Sequence, residues 1–225
     1  MDKILSIFVD ESGDFGDFNI HSPNYLVTFV MHDQRKNIDS QLAHFDTDLI
    51  SLGYNNHSIH AGPLIRKEEV YINISVAERK KILKTGIDFI KCTDLSYKTF
   101  IIEKKYHQTQ MSFFSKLAES INLFIHSNRD YFENFDKVII YYDNGQIELK
   151  NILKASFSTL HNYEMKTIKT WQYRLFQAAD IITTIELAGH KIETKTYSNS
   201  EKVILGDPRD FKKGYLKLIR KKLFE

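Results

Sequence analysis

Cysteine is nearly absent from this chain, and long apolar runs are absent altogether. The single cysteine among 225 residues, Cys92, excludes an intrachain disulfide and a cysteine-based zinc cluster, and it fits a reducing compartment. No apolar run approaches the roughly 20 residues that a membrane-spanning helix needs. The first residues also lack the layout of a signal peptide. We therefore expect a cytoplasmic protein that does not bind membranes.

Proline, glycine and an excess of either charge are also scarce. The chain has three prolines, nine glycines, no internal repeat and no low-complexity tract. Hydrophobic residues make up 42% and charged residues 27%, close to globular averages, which predicts a packed core in one domain over residues 1–225. The formal net charge of +2 neither requires nor excludes a polyanionic partner.

Apolar patterning predicts an alternation of strands and helices. Apolar or alternating runs predict strands at residues 4–9, 25–31, 96–103, 138–142 and 165–171. Helical spacing and caps predict helices at residues 34–52, 76–90, 107–128, 147–160, 173–188 and 209–224. The helix at 76–90 starts with a capping box, Ser75 and Glu78, and Gly189 is the expected stop of the helix at 173–188. Residues 54–74 and 190–208 show no sustained period and are interpreted as irregular.

This order of elements predicts a mixed α/β sheet. The first three strands are expected to be antiparallel and the later ones parallel, with helices on both faces. A helical insertion at about residues 34–92 separates the second strand from the third. A basic helix is expected at about residues 209–224.

Carboxylates stand at the ends of two predicted strands. Asp10 and Glu11 follow the first strand, and Asp143 follows the fourth. In open α/β sheets the ligand site lies beyond the carboxyl ends of the strands. If these strands are parallel neighbours, Asp10 and Asp143 meet although they are far apart in the chain. The alternative is an ordinary strand followed by a polar turn, because Asp, Ser and Gly are favoured turn residues.

A third acid, Asp180, interrupts an otherwise apolar helix. An unpaired carboxylate is costly to bury there, so it requires a cation or solvent, although an exposed helix carboxylate is the simpler alternative. Three converging carboxylates would suit Mg²⁺ or Mn²⁺, which prefer oxygen ligands. One or two such ions could activate a water molecule and orient a phosphodiester. Asp10, Asp143 and Asp180 are therefore the candidate metal ligands and catalytic residues.

Three segments together resemble the signature blocks of the domain of unknown function 3800 family, which is regarded as ribonuclease H-like. They are FVDESG at residues 8–13, the strand that ends at Asp143, and FQAAD at residues 176–180. The resemblance spans approximately residues 4–190 and implies a ribonuclease H-like, metal-dependent nuclease. It also implies a prokaryotic mobile-element or phage-defence setting, but it does not identify a substrate.

The chain departs from the ribonuclease H pattern at one acid. Such enzymes usually draw a further carboxylate from the helix after the third strand, where this chain offers only Glu119, which is better interpreted as a solvated helix charge. Glu11 is a candidate substitute. Neighbouring strand side chains point to opposite faces, so Glu11 joins Asp10 only if the turn at Ser12 curls the chain back.

Five further residues are secondary candidates. His60 could deliver or accept a proton near neutral pH, although a loop histidine of no special role is the alternative, and a histidine in this inserted region fits the family resemblance. Gln177 and three basic C-terminal residues are candidate substrate contacts, since phosphate backbones bind mainly through electrostatics. The basic residues are Lys213, Lys217 and Arg220, for which an ordinary solvated helix face is the alternative.

The leading hypothesis is a divalent-metal-dependent nuclease that hydrolyses RNA or DNA. The alternative is a non-catalytic component that retains the ribonuclease H-like fold and binds nucleic acid or a protein partner. Hydrolysis of a small phosphorylated metabolite is a third hypothesis, but glycine-rich phosphate-binding motifs are absent. The sequence leaves the oligomeric state open.

Overall fold

The computed structural model describes residues 2–15, 18–20, 22–107, 109–143 and 145–224 of the chain. Within these residues one sheet is formed by five strands, in the spatial order β3-β2-β1-β4-β5. They are β1 (Ile4–Ser12), β2 (Asn24–Asp33), β3 (Ser96–Glu103), β4 (Lys137–Tyr142) and β5 (Tyr163–Thr167).

Strand directions follow the sequence expectation. β1 pairs antiparallel with β2, and β2 pairs antiparallel with β3. β4 is parallel to β1, and β5 is parallel to β4. β1 is central because its apolar residues are buried on both faces, which only a strand covered on both sides tolerates. The predicted mixed sheet, antiparallel at first and then parallel, is confirmed.

Helices cover both faces of this sheet, as expected. In the described part of the chain they are α1 (Asp39–Ser51), α2 (Ala61–Arg66), α3 (Val76–Cys92), α4 (Gln110–Ser127), α5 (Arg129–Glu133), α6 (Ile147–Phe157), α7 (Arg174–Glu193), α8 (Asn199–Leu205), α9 (Pro208–Phe211) and α10 (Lys217–Ile219). The face of Phe8 shares a core with α1, α2, α3, α7 and the C-terminal helices. The opposite face, that of Val9, packs against α4, α5 and α6. The first three helices form the predicted insertion between β2 and β3.

The insertion contains more structure than its sequence indicates. Residues 54–74 were expected to be irregular, but they include α2 and a 3-10 turn at Glu69–Tyr71. Both are too short to show a helical period, and they form because Ala61, Leu64 and Tyr71 are buried against the core. The capping box of Ser75 and Glu78 at the start of α3 is confirmed.

Gly189 does not end its helix, contrary to expectation. α7 continues to Glu193, and Gly189 lies within the helix, where the C-terminal segment packs against it. A Cβ atom at Gly189 would lie 3.2 Å from Leu216 Cδ1, so the absent side chain lets the C-terminal segment approach closely.

The ends of several other elements also differ from the expectation. The predicted strand at 165–171 is β5 at Tyr163–Thr167, followed by a 3-10 turn at Thr170–Gln172. Residues 190–208, expected to be irregular, include α8. This helix begins with a capping box formed by Ser198 and Glu201. The basic C-terminal helix contains a π-helical stretch at Lys212–Leu216 between α9 and α10. None of the described helices is both long and apolar enough to cross a membrane.

Candidate functional site

Asp10 and Asp143 occupy matching positions at the ends of neighbouring parallel strands. The register of β1 and β4 runs from Ile4 opposite Lys137 to Phe8 opposite Tyr141. Asp10 and Asp143 each lie two residues beyond that last pair. Because strand side chains alternate, Asp10 belongs to the face of Phe8. Asp143 follows the last residue of β4, and its Oδ1 accepts a hydrogen bond of 2.9 Å from the backbone N–H of Gly145. The parallel pairing of β1 and β4 thus puts the two predicted residues at the same edge of the sheet.

Asp180 reaches the same face from α7. This helix packs against β1 and β2, and its apolar side chains share the core of Phe8 and Tyr141. Burial raises the pKa of Asp10 well above its ordinary range, and the charges of Asp180, Glu11 and Asp143 raise it further. Asp143 and Asp180 therefore each lie within electrostatic reach of Asp10, although the three residues come from three separate segments.

An acidic cleft opens beside Asp10 and Asp180. It has a volume of about 450 Å³, and the charged residues among its described lining are four acids and one arginine: Asp10, Glu11, Asp14, Asp180 and Arg66. Arg66 is itself paired with Glu68 at 2.8 Å. The cleft therefore carries an excess of negative charge that favours a cation.

Glu11 lies mainly toward the other face of the sheet. The Tyr142 hydroxyl donates a hydrogen bond of 2.9 Å to Glu11 Oε1, and Tyr142 belongs to the core beneath α4 and α6. Glu11 Oε2 is buried and has no hydrogen-bond partner in the described part of the chain. Burial raises the pKa of Glu11 to about 7, against the opposing effect of the Tyr142 bond.

The turn after β1 begins too late to move Glu11 to the side of Asp10. β1 stays extended through Ser12, and the chain turns at Gly13, where φ is +102°. Only glycine fits there, because a Cβ atom would lie 2.2 Å from the carbonyl oxygen of Asn24.

Gln177 and Asp180 hold the loop that precedes α2. The backbone N–H of Ile59 donates to Gln177 Oε1 at 3.1 Å, and the backbone N–H of Ala61 donates to Asp180 Oδ1 at 2.9 Å. Gln177 is buried, with 2% of its surface exposed, and its Nε2 donates to Ser58 Oγ. The structure therefore places Gln177 against this loop and not in the cleft, where a substrate contact was expected.

The loop places His60 beside Asp180. His60 Nδ1 lies 3.6 Å from Asp180 Oδ2, and 40% of the His60 side chain is exposed. The neighbouring Asp180 carboxylate raises the pKa of His60 above its ordinary value, against the opposing effect of burial. His60 donates its backbone N–H to the Tyr71 hydroxyl at 3.1 Å, and His57 Nε2 lies 2.7 Å from the same oxygen. No sequence pattern points to Tyr71 or His57, because both lie in a segment without a helical or strand period.

The basic C-terminal residues lie elsewhere and divide into two groups. Arg220 makes two hydrogen bonds to Glu186, at 3.1 and 2.8 Å, and Glu186 is buried and also accepts from Tyr97. Arg220 is thus held in an ion pair and is not a free substrate contact. Lys213 and Lys217 are exposed. Their neighbours Gly214 and Leu218 line a groove of about 480 Å³ between the C-terminal segment and α3. Four lysines of α3 also line it, Lys80, Lys81, Lys84 and Lys91, of which Lys84 and Lys91 are paired with Asp88.

The carboxylates match the chemistry of a hard divalent ion but do not enclose one. No three His, Cys, Asp or Glu side chains among the described residues are close enough together to hold an ion by themselves. Mg²⁺ commonly uses only one or two carboxylates and keeps several water molecules. The buried Glu11 Oε2 atom without a partner and the raised pKa of Asp10 both indicate negative charge that lacks compensation. The donor set therefore fits Mg²⁺ or Mn²⁺ with water as the remaining ligands.

Comparison with known proteins finds similarity only to solved structures, in the arrangement of helices and strands. No protein-family model matches the chain, and no curated protein matches it, so membership of the domain of unknown function 3800 family stays a prediction. The chain is similar to ribonuclease H2 from Pyrococcus horikoshii OT3, with 14% identity, a TM-score of 0.42, and coverage of 91% of this chain and 82% of that chain. It is also similar to a chain in the PCNA:RNase HII complex from Archaeoglobus fulgidus, with 12% identity, a TM-score of 0.43, and coverage of 96% and 89%. Identities this low carry over no residue's role.

Proposed function

We propose that this protein is a divalent-metal-dependent nuclease that hydrolyses phosphodiester bonds in RNA or DNA. The supporting observation is that Asp10 and Asp143 follow the neighbouring parallel strands β1 and β4, and that the charges of Asp143 and Asp180 both act on Asp10. Three carboxylates are costly to hold together in a protein unless a cation lies among them. Their position at the strand ends is where open α/β sheets bind ligands.

Asp10, Asp143 and Asp180 would hold one or two Mg²⁺ or Mn²⁺ ions. A bound ion of this kind supplies positive charge to a phosphodiester and makes water a stronger nucleophile. His60, half-exposed beside Asp180, is placed to accept or donate a proton near neutral pH. Gln177 keeps His60 in place by holding the backbone of the same loop. Glu11 is an auxiliary carboxylate whose pKa of about 7 lets it exchange a proton under the same conditions.

Nucleic acid would bind through the exposed C-terminal lysines. Lys213 and Lys217 project from the segment that forms one wall of the lysine-lined groove. Clustered lysines attract the phosphate backbone without reading its sequence. The cytoplasmic location, the single-domain organisation and the phage-defence or mobile-element setting belong to the same proposal.

A second candidate function is supported by one observation. No three acidic or histidine side chains among the described residues are spaced to hold an ion by themselves. This favours a non-catalytic component that retains the ribonuclease H-like fold and binds nucleic acid or a protein partner. The two functions differ in their dependence on the carboxylates.

A cleavage assay distinguishes them. Purified protein is incubated with labelled single-stranded RNA, single-stranded DNA and an RNA–DNA duplex, with Mg²⁺, with Mn²⁺ or with EDTA. We expect metal-dependent cleavage that falls about 100-fold or more in Asp10→Asn and in Asp143→Asn. Glu119→Gln is the matched control, because Glu119 is exposed on α4 and paired with Lys116. Cleavage that persists in EDTA, or that both aspartate variants retain, would exclude the metal mechanism.

A further inference from the structure

A second cavity lies on the same sheet face as the acidic cleft and shares no lining residue with it. It has a volume of about 380 Å³ and lies between β1, α1 and the turn that precedes α7. We call it the aromatic pocket, after the four rings in its lining: Phe8, Tyr141, Trp171 and Tyr173. Its volume is at the lower end of the range for small-molecule sites, about 300–1,000 Å³.

Two of these rings are buried and stacked on each other, and the other two are exposed at the mouth of the pocket. Phe8 and Tyr141 lie parallel, with ring centroids 4.7 Å apart and planes 8° apart. Tyr173 packs against both, at centroid distances of 5.5 and 5.1 Å. Trp171, on the 3-10 turn, has 61% of its surface exposed. An exposed tryptophan at the mouth of a cavity offers a flat apolar surface that a planar ligand can cover.

The oppositely charged groups in the lining of the pocket compensate each other. Among the described residues, its one carboxylate and its one guanidinium, Asp46 and Arg174, are paired at 2.8 Å. His32 also lines the pocket, with Nδ1 2.8 Å from the backbone carbonyl oxygen of Asp94. Gln34 uses its Nε2 to donate to Ser6, and Gln172 uses its Oε1 to accept from the backbone of Lys169. The amide of Gln34 thus offers its oxygen as an acceptor, and that of Gln172 offers its nitrogen as a donor.

We propose that the aromatic pocket binds an unpaired nucleobase, stacked between the exposed rings and hydrogen-bonded through its edge. Bases stack favourably on aromatic side chains, and a base edge presents the donors and acceptors that the two glutamine amides complement. Lys166 Nζ lies 5.9 Å from the centre of the Tyr141 ring and 3.8 Å from Glu164 Oε1, outside the lining of the pocket. The base can come from a free nucleotide or from a single strand, and the test separates these sources. This binding site does not depend on metal-dependent cleavage.

A cationic side chain of a protein partner is the rival occupant, because aromatic rings also attract cations. The pairing of Asp46 with Arg174 argues against it, since no unpaired carboxylate in the lining is left to neutralise a second cation. A base within a duplex is excluded by its own stacking and pairing.

The test uses the fluorescence of Trp171, which is the only tryptophan in the chain. The full chain is titrated in EDTA with adenosine, guanosine, cytidine and uridine monophosphates, with a single-stranded oligonucleotide, and with the matching duplex. Ribose 5-phosphate and arginine amide serve as the base-free and the cationic probe. We expect saturable quenching by at least one base-containing probe, and no response to ribose 5-phosphate or arginine amide. A response to the oligonucleotide alone identifies a strand as the source, and a response to the monophosphates identifies free nucleotides.

Variants connect the signal to the pocket. Tyr173→Ala should weaken the affinity about tenfold or more, as expected for loss of a stacking surface. Gln172→Ala, at an exposed position, should weaken it without disturbing the fold. Tyr106→Ala is the matched control, because Tyr106 is an exposed aromatic residue outside the pocket. Asp10→Asn should keep the response, so loss of the nuclease function and loss of base binding can be told apart. Absence of quenching by every base, quenching by ribose 5-phosphate, or a response to arginine amide alone would overturn the proposal.

Discussion

The Asp180 carboxylate accepts a hydrogen bond of 2.9 Å from the backbone N–H of Ala61, 119 positions earlier in the chain. This bond fastens the helical insertion to α7, and the contact of Gln177 with Ile59 strengthens the attachment. A carboxylate that would hold an ion is thus also the residue that positions the loop of His60. The acidic cleft and the insertion are therefore coupled through one side chain.

Gln177→Ala should lower both stability and activity. The substitution leaves the buried N–H of Ile59 without an acceptor, which costs about 1–3 kcal/mol of unfolding free energy. Cleavage should fall as well, because His60 loses its support. Urea unfolding and the cleavage rate check the two effects. Asn151→Ala on α6, an exposed amide, is the control, and equal behaviour of the two variants would contradict the positioning role.

Arg220→Ala should destabilise the protein by about 2–4 kcal/mol, since it leaves buried Glu186 without its charge partner. Lys217→Ala, in the same segment, should change stability by less than about 0.5 kcal/mol, because Lys217 is exposed. Thermal or urea unfolding of both variants measures the difference. If the two variants unfold alike, the pairing of Arg220 with Glu186 does not support the fold.

Lys213→Ala and Lys217→Ala should weaken nucleic-acid binding equally for all sequences. Each should reduce the slope of log affinity against log salt by about one, as expected for the loss of one phosphate contact. Fluorescence anisotropy of a labelled strand, in EDTA and over a range of salt concentrations, measures the slope. Lys154→Ala, on the opposite face of the sheet, is the control. An unchanged slope in the two C-terminal variants would place the binding surface elsewhere.

His57 should make stability depend on pH. Burial lowers the pKa of His57 below its ordinary value of 6.5, so the unfolded chain binds a proton before the folded protein does. The contribution of His57 to stability is therefore fully present above pH 6.5 and is lost as the pH drops below that value. His57→Gln should reduce this loss, whereas the exposed His44→Gln should not. Urea unfolding between pH 5 and pH 8 compares them, and parallel curves for wild type and His57→Gln would contradict the prediction.

The strand ends were predictable because they depend on local sequence. The apolar runs before Asp10 and Asp143 define two strands, and their parallel pairing follows from the order of elements. Asp180 stood out as an acid within an apolar helix. Each of these signals is contained in fewer than about 20 consecutive residues, the length of a typical element.

The missed features depend on contacts between distant segments. Tyr71 and His57 contact each other, but residues 54–74 show no helical or strand periodicity from which this contact could be predicted. Arg220 looked like a phosphate contact because charge patterns do not show a partner such as Glu186, 34 positions away on another helix. Gly189 looked like a helix stop because the sequence does not show that Leu216 packs on it. Tertiary packing determined all three outcomes.

The most direct test of the proposed nuclease is a crystal structure of the protein soaked with Mn²⁺. We expect anomalous density between Asp10, Asp143 and Asp180, with carboxylate and water oxygens about 2.0–2.2 Å from each ion. Asp10→Asn crystals should lose this density. Manganese bound only elsewhere, or three carboxylates that remain apart without an ion at saturating Mn²⁺, would contradict the proposed metal site.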